Sequence, residues 1–302
     1  MRHSTVSIMT GWGGHLGTGH IQRMASLAEF LNRKKSRRAF IINGEKPEFL
    51  PPSIHGWINP EITPDSACVI RDMRDSAVDE MRELKKNHRV IAVDDCGPGR
   101  NTADCAVDLL PNLAHAVHSR ELFIYGYNFM DSIRRFDGDV VTKTIDCAVY
   151  CGLDPSPEAV HYYLSLMPPR VSCAILTGNN ALLSHNGSIS PLMKSHAEIL
   201  LSSKTLISHF GITLYEGHIS GCRLVSINPT EYHSRLADRS AKDIGVVNLG
   251  ISGSIDADAA RSSISDLIIH PIVSRIDPAA VSEKIDRGLE HFYSRIASFI
   301  DD

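Results

Sequence analysis

A run carrying five glycines, Gly11-Trp12-Gly13-Gly14-His15-Leu16-Gly17-Thr18-Gly19-His20, is followed three residues later by Arg23. The spacing places His20 and Arg23 on one side of a helix that starts at the histidine. At a helix N-terminus the neutral imidazole is favoured and can accept a proton, while the arginine can hold a phosphate or a carboxylate. Glycines permit positive φ and let a ligand approach the backbone, and free N–H groups at a helix start suit an anion such as a diphosphate. Together these residues suggest proton abstraction beside a phosphate-bearing ligand. Taken singly they have plainer readings: a flexible turn, a packing or capping histidine and a solvated arginine.

A second constellation is Ser208-His209-Phe210-Gly211-Ile212-Thr213-Leu214-Tyr215-Glu216, which leaves an apolar run and enters a helical one. It offers hydroxyl and backbone donors to phosphate and, one turn later, a carboxylate suited to ribose hydroxyls. An ordinary capped helix start is the alternative. A dinucleotide fingerprint is the obvious rival for the first loop, but G-x-G-x-x-G needs its third glycine where Gln22 stands in one frame and Leu16 in the other.

Both loops need strands before them and helices behind them, and the chain supplies these in alternation, as parallel βα units do. Strands are expected at Thr5 to Met9, Ala39 to Ile42, Cys68 to Ile70, Val90 to Val93 and Cys105 to Leu109, with Leu122 to Tyr125 extended. Ile21, Met24, Leu27, Ala28 and Leu31 recur at spacings of three and four, which gives the helix from His20 one apolar face. The polar stretch Arg134 to Asp139 marks a domain junction. Beyond it the series resumes at Cys147 to Tyr150, Ser172 to Leu176, Thr205 to Ser208, Arg223 to Ile227 and Val246 to Leu249. Val281, Ile285, Leu289, Phe292, Ile296 and Ile300 outline a long closing helix that crosses back toward the first domain. The expected fold class is therefore α/β, with domains at 1–137 and 138–302.

A length of 302 residues accommodates two such domains. With 43% hydrophobic and 22% charged residues the chain reads as globular, and a net charge of -4 provides no broad basic field for nucleic acid. The seven scattered cysteines read as reduced core residues, and no Cys/His grouping has zinc spacing, so neither a metal nor a cofactor is expected. The sequence carries no stretch read as a signal peptide or membrane span, so a cytoplasmic protein is expected.

Gly17-Thr18-Gly19-His20-Ile21-Gln22-Arg23 resembles the G-x-G-H-x-x-R opening of the UDP-sugar hydrolases of the pseudaminic acid pathway and their spore-coat polysaccharide relatives. Asp94-Asp95, the run from Gly126 to Phe136, and Tyr150-Cys151-Gly152-Leu153-Asp154-Pro155 match further family motifs in the same order. The resemblance implies a GT-B architecture, with two Rossmann-like domains, an interdomain cleft and kinship to the glycosyltransferase that forms lipid II. His20 is then the general base. Gly17, Thr18, Gly19, Arg23, Asp94 and Asp95 contact substrate or phosphate. Gly152, Thr177, Gly211, Ile212, Thr213, Glu216, Tyr232 and His233 bind the nucleotide of a UDP-sugar.

Departures from the family pattern keep three functions open. Arg71-Asp72-Met73 stands where Asp-His-Tyr is usual, which removes a tyrosine hydroxyl and a carboxylate, and Phe129, Ile133, Cys151 and Tyr232-His233 replace tyrosine, arginine, glycine and Asn-Gln. Hydrolysis of the nucleotide sugar at its anomeric carbon is the leading expectation. The alternatives are a glycosyltransferase of the same fold and an inactive nucleotide-sugar-binding protein.

Overall fold

The computed structural model describes residues 5–13, 17–35, 37–113, 123–136, 140–177, 180–185, 188–192, 195–269 and 275–301. The chain forms two compact units, residues 1–127 with 285–302 and residues 128–284. Residues 285–302, expected in the second domain, thus belong to the first unit, and the chain leaves that unit at 127/128 rather than 137/138.

The first part of the chain runs β1 (Thr5–Thr10), α1 (Gly19–Lys34), β2 (Arg38–Ile42), α2 (Pro52–His55), β3 (Ile58–Asn59), β4 (Ser66–Asp72), α3 (Val78–Lys85), β5 (Arg89–Val93), a 3-10 turn (Pro98–Thr102), β6 (Cys105–Val107) and α4 (Tyr127–Arg134). Its strands form one parallel sheet in the order β3-β2-β1-β4-β5-β6. Val90, Ile91, Ala92 and Val93 are all buried, the continuous apolar run of a strand covered on both faces. The residues expected to form the inner face of α1 are buried without exception. Phe123 to Tyr125, expected to be extended, form no strand, and Leu122 lies outside the described residues.

The chain continues with β7 (Val141–Thr142), β8 (Ile145–Tyr150), α5 (Pro157–Ser165), β9 (Cys173–Thr177), β10 (Asn180–His185), β11 (Ser188–Leu192), α6 (His196–Ser202), β12 (Ser203–Ser208), α7 (Ile212–Ile219), β13 (Arg223–Asn228), α8 (Glu231–Ile244), β14 (Val246–Ile251), α9 (Ala257–Ile269), β15 (Arg275–Ile276) and α10 (Pro278–Asp301). The second sheet has the order β11-β10-β9-β8-β12-β13-β14. All its pairs are parallel except those made by β10, which is antiparallel to both neighbours. The hairpin β10–β11 was not expected, although Asn186-Gly187 between two short runs is a strong hairpin dipeptide. Cys147, Val149, Ile207 and Val225 from three of the parallel strands share a core with Ala260 and Ile264 of α9.

In α10 the residues from Val281 to Ile300 that were expected to face inward are buried. Within the first unit the helix is tied to the end of α1 by Lys34–Asp286 at 2.7 Å and Lys35–Glu290 at 2.6 Å. A Cβ at Gly288 would lie 2.3 Å from the Phe123 carbonyl oxygen, which is backbone and cannot rotate away. Gly288→Ala gains about 1 kcal/mol of helix propensity but forces a core overlap that costs about 1–3 kcal/mol. The expected outcome is a net loss of stability in urea denaturation, the opposite of the usual result for glycine to alanine in a helix.

Candidate functional site

In the first sheet β1 is followed to one side by β2 and β3, while β4, β5 and β6 extend the other side. The loops after β1 and β4 therefore part at their C-terminal ends, which leaves a crevice where open α/β sheets bind ligands. The loop after β1 is pinched at its base: Gly13 N–H donates to Gly17 O at 2.9 Å, with φ of 82° and 64° at the two glycines. Glycine adopts such angles without strain. Thr18 precedes α1 without a side-chain cap, and the first turn contains no acidic residue. Its free N–H groups remain suited to an anion.

His20 lies on that first turn and Asp72 is the last residue of β4, paired in the sheet with Thr10 at the end of β1. His20 Nδ1 is 2.9 Å from Asp72 Oδ1. The Arg23 Nε donates to Asp72 Oδ2 at 2.6 Å, its Nη2 to Asp72 Oδ1 at 2.5 Å, and its Nη1 to Asp94 Oδ2 at 2.5 Å. An ionised carboxylate only accepts, so Nδ1 carries the proton and Nε2 the lone pair. Arg23 Nη2 at 3.3 Å from Nδ1 is then a close approach rather than a hydrogen bond. The His20 side chain is 14% exposed, and Nε2 has no partner among the described residues.

Burial alone would raise the pKa of Asp72, but the Arg23 charge, then His20, and their hydrogen bonds outweigh it and bring it down to about 2. Asp94 is displaced the other way: burial raises it, with Asp72 adding to the shift, while Arg23 and the amides of Leu110 and Leu109 oppose. Asp94 adopts φ of 48°, a left-handed conformation that aspartate tolerates better than most residues. This turns one oxygen to Arg23 and the other to Leu109 N–H at 2.6 Å and Leu110 N–H at 3.1 Å.

Three expectations change here. Arg23 is buried and engaged by two aspartates, so it fixes carboxylates rather than meeting phosphate. Asp95 is fully buried and its Oδ1 accepts from Ser76 N–H at 3.0 Å and Gly97 N–H at 2.8 Å, so it fastens two loops. The carboxylate thought lost from the site is supplied by Asp72. Arg71, its neighbour on β4, points to the other face and binds Glu80 at 2.8 Å and the carbonyls of Met73 and Arg74. Asp72 was legible in principle, as an acid ending the strand beside the one that precedes His20. Phe129 and Ile133, where the family has tyrosine and arginine, are buried core residues of α4.

In the second unit the switch lies at β8, flanked by β9 and β12. Cys151 and Gly152 follow β8, the glycine with φ of 118°; Cys151 packs beneath, and burial pushes its thiol up to about 12. Gly211 has the extended backbone open to any residue, and Ile212 and Thr213 begin α7. Thr177 ends β9, one residue beyond the partner of Tyr150. Tyr232 is 41% exposed on the first turn of α8, where His233 Nδ1 lies 2.7 Å from Thr230 Oγ1.

Glu216 is buried, with Oε2 3.6 Å from Nε2 of His196, a residue the sequence reading missed. That nitrogen is buried without a hydrogen-bond partner. Tyr150 lies between two imidazoles, 5.8 Å from the ring of His196 and 5.6 Å from that of His209. Burial brings both histidines down to about 4, with His233 adding to the effect at His209, so both are neutral at pH 7. His196 opens α6 behind a capping box, Ser195 with Glu198, which in sequence signals only a helix start.

All seven cysteines are free. Among the described residues no group of three or more His, Cys, Asp or Glu side chains could hold a metal, and no helix is long and apolar enough to cross a membrane.

No family model and no curated protein matches the chain. Solved structures do. Acinetobacter baumannii MurG aligns with a TM-score of 0.52 at 10% identity over 98% of both chains. Spinosyn rhamnosyltransferase SpnG, in complex with thymidine diphosphate, aligns with a TM-score of 0.57 at 10% identity over 99% of this chain and 100% of that one. The calicheamicin glycosyltransferase CalG4 gives 0.52 at 13% identity over 98% and 95%. The fold is thus that of the GT-B glycosyltransferases, two Rossmann-like α/β units.

Arg23→Met leaves two buried carboxylates without their counter-charge, and breaking such a pair costs about 3–5 kcal/mol. Asp72 titrates at about 2 in the folded protein and near 3.9 when unfolded, so its stabilising effect is full above that range and lost as pH falls toward 2. Without Arg23 the largest opposition to burial is gone, so the folded carboxylates bind protons more readily than they do beside the arginine, and acid relieves the mutant. The deficit measured by urea denaturation is expected to be large at pH 7 and smaller at about pH 4.5. An equal deficit at both would show that charge is not its cause.

Proposed function

We propose that this protein is a glycosyltransferase that moves the sugar of a nucleoside diphosphate sugar to an acceptor hydroxyl, with His20 as general base. The observation that carries this reading is the His20–Asp72 pair at the switch of the first sheet, with Nδ1 bonded to a carboxylate and Nε2 without a partner among the described residues. His20 Nε2 takes the acceptor proton as the acceptor oxygen bonds to the anomeric carbon. The bond from that carbon to the diphosphate breaks, and the leaving diphosphate keeps the electron pair. Asp72 holds the ring orientation and stabilises the imidazolium that forms.

The donor nucleotide is assigned to the second unit, as the family resemblance implies: the first turn of α7, Gly211 to Thr213, meets the diphosphate and Glu216 the ribose hydroxyls. The resemblance assigns to the same nucleotide Gly152 after β8, Thr177 at the end of β9, and Tyr232 and His233 on the first turn of α8. Gly17, Thr18 and Gly19 offer backbone donors in the first unit. The same base would serve water in a hydrolase. The glycosyltransferase fold of the neighbours favours transfer over the hydrolysis first expected, and SpnG, seen with thymidine diphosphate, makes dTDP-sugars as worth testing as UDP-sugars.

A general base contributes about 10²–10⁴-fold to rate, so His20→Asn is expected to lower kcat by about that factor while nucleotide affinity stays within a few-fold. Asp72→Asn should also lower kcat with little effect on donor KM. Wild-type turnover by His20→Asn would place the base elsewhere, and a wild type that binds nucleotide sugars but consumes none in an acceptor panel would favour the binding-protein reading.

Glu216→Ala removes a charged acceptor and is expected to weaken UDP binding by roughly ten- to a hundredfold in calorimetry. Unchanged affinity in the folded variant would remove Glu216 from the nucleotide site.

A further inference from the structure

The two aspartates that flank Arg23 have different contacts. Asp72 ends β4 and touches the His20 ring, its Oδ1 lying 2.9 Å from Nδ1. Asp94 follows β5 and is bonded to Arg23 rather than to the ring, with Nη1 donating to its Oδ2 at 2.5 Å. Its Oδ1 accepts from the amides of Leu109 at 2.6 Å and Leu110 at 3.1 Å. Both oxygens are thus engaged within the protein, and each of these partners is a donor that favours a carboxylate over a carboxylic acid.

Arg23 donates to Asp72 through Nε and Nη2, so its charge cancels the carboxylate that His20 touches. A proton taken by the imidazole would then create a cation beside a neutral ion pair, with the guanidinium Nη2 3.3 Å from Nδ1. Asp94 restores a net negative charge: one guanidinium faces two carboxylates, in a buried cluster where charges interact more strongly than in water. From this geometry we infer that Asp94 is a positioning residue for the base, which through Arg23 supplies the negative charge that offsets the imidazolium of His20. The inference rests on the reading of His20 as the base, and it replaces the substrate contact that the resemblance implies for Asp94.

Other charges near this strand end are balanced or face away. Asp108 is held by Arg100 at 2.7 and 2.8 Å, and Arg71, with Glu80 and Asp95, lies on the opposite face of β4. The Cys96 thiol, pushed up to about 11 chiefly by burial, is neutral at pH 7. Burial also raises Asp94, whereas at Asp72 burial is outweighed by Arg23 and His20, which bring it to about 2, so on acidification Asp94 loses its charge first. Folded Asp94 binds a proton more readily than the unfolded residue, and its ionised form therefore works against stability at pH 7.

NMR of the full chain labelled with carbon-13 histidine tests the inference without a substrate, the His20 ring signal being the one missing from His20→Asn. Asp94→Asn removes the charge, and Asp94→Gly removes it with a residue that suits the φ of 48°. In each, the pH at which the His20 ring takes up its proton is expected to fall by about half to one pH unit, the effect of one nearby charge in a buried cluster. Turnover is expected to fall about two- to tenfold through kcat, with donor KM unchanged. An unmoved or raised titration in either folded variant, a loss carried by donor KM instead, or loss of the fold in both overturns the inference. His20→Asn turnover separates the two readings. If the titration stays in place while His20→Asn still stops turnover, the role of Asp94 alone fails; if the titration moves while His20→Asn turns over at the wild-type rate, the base assignment fails.

Discussion

Arg23 is buried and spends three charged hydrogen bonds on two aspartates, so the first turn of α1 and the ends of β4 and β5 cannot move independently. The guanidinium is rigid and planar, with donors fixed in direction, which a lysine could not reproduce. Removing it would leave Asp72 and Asp94 repelling one another out of water. Its presence lets Asp72 stay ionised in a buried position, and an ionised Asp72 determines which nitrogen of His20 is available to a substrate. The tautomer of the proposed base is therefore set one residue removed from it, by a buried arginine.

The two units organise their sheet edges by different electrostatics. The first concentrates formal charge: one cation shared by two carboxylates and leaning on a histidine. At the corresponding edge of the second, Tyr150, His196 and His209 form a patch of rings whose imidazoles are kept neutral by burial, with Glu216 beneath. A neutral lining does not compete with the donors of a helix start for an anion, whereas a fixed charge pair suits proton transfer. The division proposed between base and nucleotide site follows this contrast.

The departures from the family pattern weigh less once strand alternation is taken into account. Arg71 and Asp72 are adjacent in sequence and on opposite faces of β4, so an arginine in the motif leaves the histidine's side untouched. It is absorbed by Glu80, two carbonyls and the loop that Asp95 fastens. Met73 matters more. It lines a cavity at the C-terminal ends of β1 and β2, to which it presents an apolar side chain.

Periodicity and punctuation were enough for the α/β class, the inner face of α1, nearly all the parallel strands and the glycine-rich loop ahead of His20, because each depends on residues within one element or on its two neighbours. The sheet order, the hairpin β10–β11 and the return of residues 285–302 to the first unit depend on packing between distant segments. Local pattern carries no record of that. The same distinction divides the candidate site. His20 and Glu216 were legible because each sits at a fixed offset from a strand-to-helix turn. His196 was not, and Asp72 showed only as an acid at a strand end, since their roles exist only where neighbouring elements bring them against Glu216 and His20. Asp94 and Asp95, equal in sequence, were parted by the fold: one turns to Arg23 through a left-handed backbone, and the other is buried in a loop joint, a choice made by φ and by the 52 residues of chain that return Asp72 to His20.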